Sequence, residues 1–190
     1  MKVSQTPFIF IGNNLAVDFT NTEIIQNGIV VDLLSNKSDL IRWIQESGID
    51  IDLKQVSAVE FSAALQLREA LKRIFAAMMD SIPPPRGSLS FINQHLRYYS
   101  SELALRFQND EYRLQSVEKK PSMSILLGHL AHEGAELLTS KQANQLKRCS
   151  NSDCILTFVD TSRSHKRRWC SMETCGNRSK VATHYRKNLS

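Results

Sequence analysis

Cys149-Ser150-Asn151-Ser152-Asp153-Cys154 and Cys170-Ser171-Met172-Glu173-Thr174-Cys175 hold every cysteine of this 190-residue chain, as two pairs each separated by four residues. Two short cysteine knuckles brought together supply the four soft ligands of a tetrahedral structural zinc site without needing a large core. Two disulfides, or four unrelated buried thiols, are the competing readings. Nothing marks the chain as secreted, and paired cysteines in a reducing compartment are metal ligands more often than disulfides. The expectation is therefore one zinc (Zn2+) held by Cys149, Cys154, Cys170 and Cys175. Four thiolates carry more charge than one dication cancels, and the Lys and Arg flanking them supply the remainder.

Around the second pair run Arg167-Arg168-Trp169-Cys170-Ser171-Met172 and Cys175-Gly176-Asn177-Arg178, with Lys180 just beyond. This stretch resembles the CGNR zinc finger, named for that tetrapeptide. Phe158, Asp160-Thr161-Ser162-Arg163 and the tail from Lys180 to Arg186 fit the same pattern. One departure is that many such fingers place Pro or Gly near the first pair, where this chain has Ser152-Asp153 and Ile155. Upstream, Leu15-Ala16-Val17-Asp18-Phe19-Thr20-Asn21-Thr22, then Asp32-Leu33-Leu34 and Leu40 to Trp43, are similar to the ABATE domain. That domain precedes the finger in bacterial proteins described as stress-induced transcription regulators. The resemblance implies a regulatory role.

The charge is split along the chain. From Lys147 onward there are ten Lys or Arg against three carboxylates, a net of +7, whereas the first 146 residues hold 14 basic and 16 acidic side chains, a net of −2. A short basic module beside a near-neutral one suits a polyanion, because clustered cations release the counterions condensed on phosphates. Offsetting a zinc tetrathiolate accounts for two or three of those charges, not seven. No apolar run approaches the roughly 18 to 20 residues that span a bilayer, and Phe8-Ile9-Phe10-Ile11 is too short for a signal peptide. These features exclude a membrane role and place the protein in the cytoplasm.

The expected fold class is α+β, mainly α: a helical N-terminal domain with a small β-sheet over 1–143, and a treble-clef-like four-cysteine finger over 144–190. A strand from Val3 to Gly12 leads to a helix capped by Asn13 or Asn14, and Gly28 to Val31 lies beside that strand. Ser38 caps a helix that Gly48 ends. Apolar residues from Phe61 to Ile82 recur at three and four, marking a long helix that Pro83-Pro84-Pro85 stops. A helix from Leu89 to Phe107, a strand from Glu111 to Glu118 and a helix from Ser122 to Ser140 follow. In the finger, Ile155 to Val159 pairs with Lys166 to Trp169 as a hairpin, and Ser171 caps a helix through about Asn188, with Val181 and Tyr185 facing the hairpin.

That arrangement puts Arg163, Lys166, Arg167 and Arg168 on the hairpin and Arg178, Lys180 and Lys187 on the helix, as the candidate DNA contacts. Trp169 either packs under the zinc or stacks on a base. Catalysis finds no support: His129, His132 and Glu133 have the wrong spacing for a metalloprotease helix, His165 and His184 lack an acidic partner, and zinc consumes every thiol, so no enzyme is expected. In the N-terminal domain Asp18, Asn21 and Thr22, with Arg68 approaching Asp18, either cap a turn or line a pocket for a small polar effector. DNA is the expected partner, with a small-molecule effector and a homodimer left open. The alternative is an interaction module that binds RNA or an acidic protein. Protein purified without chelators should carry one zinc per chain, since metal binding supplies roughly 10 to 16 kcal/mol to a module too small to fold alone; elemental analysis finding none overturns the zinc assignment.

Overall fold

The computed structural model describes residues 6–51, 53–99, 102–117 and 122–181. Residues 6–12 form no strand; they run extended into α1 (Leu15–Thr20), whose cap is Asn14, accepting the Val17 amide. Next come β1 (Glu23–Gln26) and β2 (Ile29–Asp32), an antiparallel pair joined by Asn27 and Gly28. Both turn residues have left-handed φ, 52° and 78°, the geometry a two-residue hairpin turn needs and Asn-Gly favours. The partner of β2 is thus β1, not the expected strand before Gly12. The cap of α2 (Lys37–Glu46) is Asn36 rather than Ser38, closed by a reciprocal bond from Asp39.

The long helix α3 (Ala58–Met79) forms as its periodicity predicts, and stops two residues before Ser81, which takes a left-handed φ. The third helix is shorter than expected. α4 (Arg86–Leu96) ends well before Phe107, and the rest becomes β3 (Glu102–Gln108), paired with β4 (Glu111–Val117). Asn109 and Asp110, both at positive φ, make that turn. Apolar and polar residues alternate from Leu105 to Gln108, a period-two pattern that a helical reading overlooks. Phe107 and Tyr112 face each other across the ribbon at 4.9 Å and stay exposed, as does Leu105; Tyr99 is exposed as well.

α5 (Met123–Thr139) packs against α1, α3 and α4. A Cβ on Gly134 would lie 2.6 Å from Leu71 Cδ2, so this position must be bare for α5 to approach α3 so closely. The core gathers Phe19, Leu34, Trp43, Leu67, Leu71 and Leu130, each essentially inaccessible, with Phe19 and Trp43 rings 4.9 Å apart. Arg68 is nearly as buried, and it is neutralised by a fork to Asp32 (2.7 and 2.6 Å) and by Glu23 at 3.1 Å. That ion pair fastens the β1–β2 hairpin to α3. Among the described residues no helix is long and apolar enough to cross a membrane.

A 3-10 turn (Lys141–Gln145) leads into β5 (Leu146–Arg148), which pairs antiparallel with β6 (Thr157–Val159). The finger's hairpin is therefore β5–β6, folded around the first knuckle. Lys166 to Trp169, expected as the return strand, is irregular and touches the knuckle through Ser150 N–H to Arg168 O at 2.8 Å. Although β5 and β6 lie beyond the expected boundary at residue 143, Leu146 and Val159 belong to the helical core.

The N-terminal segment serves the free edge of β6. Val159 N–H donates to Gly12 O at 2.9 Å, and Asn13 Nδ2 donates to Val159 O at 2.8 Å. Asn21, buried, accepts from Thr157 N–H and donates to Thr157 O, both at 2.9 Å. Its amide acts as one residue of a neighbouring strand, satisfying backbone groups that an edge would leave bare. Replacing Asn21 with Ala should lower stability by about 1 to 3 kcal/mol, because both partners on Thr157 are orphaned; chemical denaturation of the zinc-loaded protein showing a change under about 0.5 kcal/mol, the range of an indifferent surface substitution, would contradict the clamp.

Candidate metal centre and cationic surface

The four sulfur atoms of Cys149, Cys154, Cys170 and Cys175 lie within 4.8 Å of one another. Cys170 Sγ is 3.7 Å from Cys154 Sγ and 3.6 Å from Cys175 Sγ. A tetrahedral zinc with bonds near 2.3 Å separates its sulfurs by about 3.8 Å, so the cage fits zinc as built. Each knuckle is shaped locally. Cys154 N–H donates to Asn151 O at 3.1 Å and Asp153 N–H to Asn151 Oδ1 at 3.0 Å; this Asx turn bends the knuckle without Pro or Gly. Cys170 N–H points at Cys149 Sγ, 3.5 Å away.

Ser171 caps the second knuckle by accepting the Thr174 amide, and a π-turn (Met172–Gly176) carries Cys175 before helix resumes over residues 177–181. A Cβ on Gly176 would meet Met172 Sδ at 2.9 Å and Trp169 Cδ1 at 3.3 Å, which explains the bare position. Trp169 packs beside the cysteines with Phe158 and Leu156. Val181, expected against the hairpin, is exposed. Tyr185, His184, Arg186 and Lys187 lie outside the described residues.

The thiols cannot all ionise side by side. Cys154 drops to about 5, chiefly because Cys170 donates a hydrogen bond to it. Cys170 is pushed strongly up, since Cys154 holds its proton in place, and Cys175 rises to about 11 under burial and the neighbouring sulfur charge. A dication supplies the positive charge that lets all four act as thiolates, which is the physical case for zinc here.

The cations sort into those that brace the finger and those left at its surface. Arg167 is one of the braces. Its Nε donates to Trp169 O at 2.8 Å, its Nη2 bonds Cys170 O, and its guanidinium lies over Phe158, 4.5 Å from the ring centroid. The expectation that Arg167 faces phosphate is revised accordingly. Lys147 is another, paired with Asp160 at 2.7 Å.

Asp160, fully buried, organises the loop that follows β6; it takes bonds from Ser162 Oγ (2.6 Å), Ser162 N–H (3.1 Å) and Arg167 N–H (2.8 Å). Burial pushes its carboxyl up, but Lys147 and these donors outweigh it and hold it well below the usual carboxylate range. The organising role of Asp160 is not legible in the sequence, where the residue stands out only through the CGNR resemblance and the Asp-x-Ser spacing of an Asx turn.

Arg163, Lys166, Arg168, Arg178 and Lys180 are exposed, and no carboxylate among the described residues pairs with them. Lys166 and Arg168 line one cleft, while Arg178 lines another, a 410 Å³ cavity beside Cys154 walled by Ile9, Ile11 and Ile24. Arg168 rests over Trp169 at 5.2 Å, leaving its charge outward.

The four N-terminal candidates are occupied by the protein itself. Asp18 accepts the Gly12 amide at 2.7 Å, with burial raising its carboxyl to about 6 against that bond. Thr22 donates to Phe19 O at 2.8 Å and accepts from Arg68 at 3.0 Å. Arg68 meets Asp32 and Glu23 rather than Asp18, and Asn21 is the β6 clamp. Each of these four side chains is thus bonded within the protein: Asp18 to a backbone amide, Thr22 at the end of α1, Arg68 in an ion pair and Asn21 along β6.

Two family models match in succession. Residues 13–141 match the ABATE family, described as "Putative stress-induced transcription regulator", and residues 145–188 match the CGNR zinc finger. No curated protein matches the chain. The division among the cations has a direct readout. Arg167→Ala should loosen the second knuckle and speed zinc loss to a chelator about tenfold, the order expected for a group supporting metal ligands, whereas Arg168→Ala should leave that rate unchanged; equal zinc release from both variants would overturn it.

Proposed function

This chain belongs to the ABATE family of stress-induced transcription regulators and carries a CGNR zinc finger, and from that premise we propose that the finger binds duplex DNA through phosphate contacts. The observation that carries this reading is the set of exposed cations, Arg163, Lys166, Arg168, Arg178 and Lys180, with no carboxylate partner among the described residues, on a module whose other described basic residues, Lys147, Arg148 and Arg167, are bound internally. Side chains with no internal partner keep their charge for a polyanion, and exposed Arg and Lys contact phosphates without reading sequence. Lys187, outside the described residues, belongs to the same basic set. The zinc is structural: with four cysteine ligands it has no open position for chemistry, so the protein acts by binding rather than by catalysis, in the cytoplasm. The N-terminal domain bears on the finger through Gly12, Asn13 and Asn21, which makes β6 the route for any signal sensed upstream.

Binding of the zinc-loaded full chain to a short duplex, titrated with salt, tests the reading. About five phosphate contacts give a slope of log K against log salt near −4 to −5, and Arg168→Ala should flatten it by about one unit. Stronger binding to single-stranded RNA or to an acidic protein than to duplex would favour the interaction module instead, and binding that is indifferent to salt would refute the electrostatic basis of both.

A further inference from the structure

A cleft of 420 Å³ lies where the C-terminal end of α3 meets the finger, lined by Arg148, Ser150, Lys166 and Arg168 together with Lys147 and Arg167. Lys147 and Arg167 are spoken for, by Asp160 and by the carbonyls beside Cys170. Lys166 and Arg168 pair with no carboxylate among the described residues. Arg148 is different from both groups: its guanidinium is half exposed, yet it is closed in a two-pronged pair with Asp80, Nη1 to Oδ1 at 2.7 Å and Nη2 to Oδ2 at 2.9 Å. Asp80 is the C-cap of α3. A carboxylate there faces the negative end of the helix dipole, so the helix itself gains nothing from it. Among the described residues its ion-pair partner is Arg148.

We propose that this cleft is a seat for a backbone phosphate, and that Asp80 occupies the Arg148 fork as an internal stand-in which an incoming phosphate displaces. Carboxylate and phosphate present matching pairs of oxygens to a guanidinium, so one fork accepts either. An exposed pair of this kind is screened by solvent and salt, so it can exchange for another anion. Phosphate, with Lys166, Arg168 and the Ser150 hydroxyl lining the same cleft, gains contacts that Asp80 alone does not have. The proposal rests on the DNA reading and adds to it a contact, Arg148, and a brake, Asp80, that lowers affinity for every sequence alike.

Salt titration of zinc-loaded full-length wild type, Asp80→Asn, Arg148→Ala and the double variant against one duplex tests it. Asp80→Asn should tighten binding about threefold to fivefold, the value of an exposed pair. Arg148→Ala should weaken binding and flatten the salt slope by about 0.9, one phosphate contact. In the double variant the gain from Asp80→Asn should vanish. Both single variants break the same pair, so a merely structural tack would move them in one direction, and opposite shifts exclude it. A wild-type slope equal to that of Arg148→Ala, or a gain from Asp80→Asn that persists without Arg148, overturns the proposal while leaving DNA binding intact; failure of the wild type to bind duplex at low salt removes the underlying reading and the proposal together.

Discussion

Four sulfur ligands held within 4.8 Å of one another set the terms for the rest of the finger. Each of its paired strands is three residues long, far short of what a lone hairpin needs to persist in water. The metal supplies the cohesion, and the neighbouring groups follow from it. Asn151 bends the first knuckle and Ser171 caps the second. Arg167 ties the carbonyls beside Cys170 to the face of Phe158, placing a positive charge next to a centre whose thiolates outnumber the charges on zinc.

The finger is not an appendage. β6 has β5 along one edge, and along the other Gly12, Asn13 and Asn21 supply hydrogen bonds where a third strand would run. Leu146 and Val159 sit in the helical core, and Ile9, Ile11 and Ile24 pack against the cysteine cluster. Each half lends apolar surface to the other. A displacement of α1 or of the segment before it is therefore felt at the strand that leads into the cationic loop, through bonds of ordinary length and through packing that resists compression.

Charge has two uses in this molecule, and burial separates them. Arg68, Lys147 and Arg167 sit where an unpaired cation would be costly, and each finds carboxylates or carbonyls. Arg163, Lys166 and Arg168 pay no desolvation cost and need no partner. Arg148 stands between, half exposed and held by Asp80. A net charge of +7 thus divides into a structural share and a surface share that adding up the residues cannot distinguish.

The sequence by itself determined the metal ligands, because four cysteines in matched pairs leave one economical solution, and the helices α1, α3 and α5, because apolar spacing and Asn14 or Ser122 caps are local signals. It also held the Asn27-Gly28 turn, a local signal passed over in favour of a partner before Gly12. Only the tertiary structure decided what depends on residues far apart in the chain: that β6 pairs with β5 rather than with Lys166 to Trp169, that Asn21 reaches Thr157, and that Arg68 chooses Asp32 over Asp18. The same holds for Arg167, which has the sequence character of a phosphate contact and the position of a brace. A side chain's type fixes which bonds it can make, whereas which bonds it does make depends on the groups that folding brings within about 3 Å, and periodicity carries no information about those.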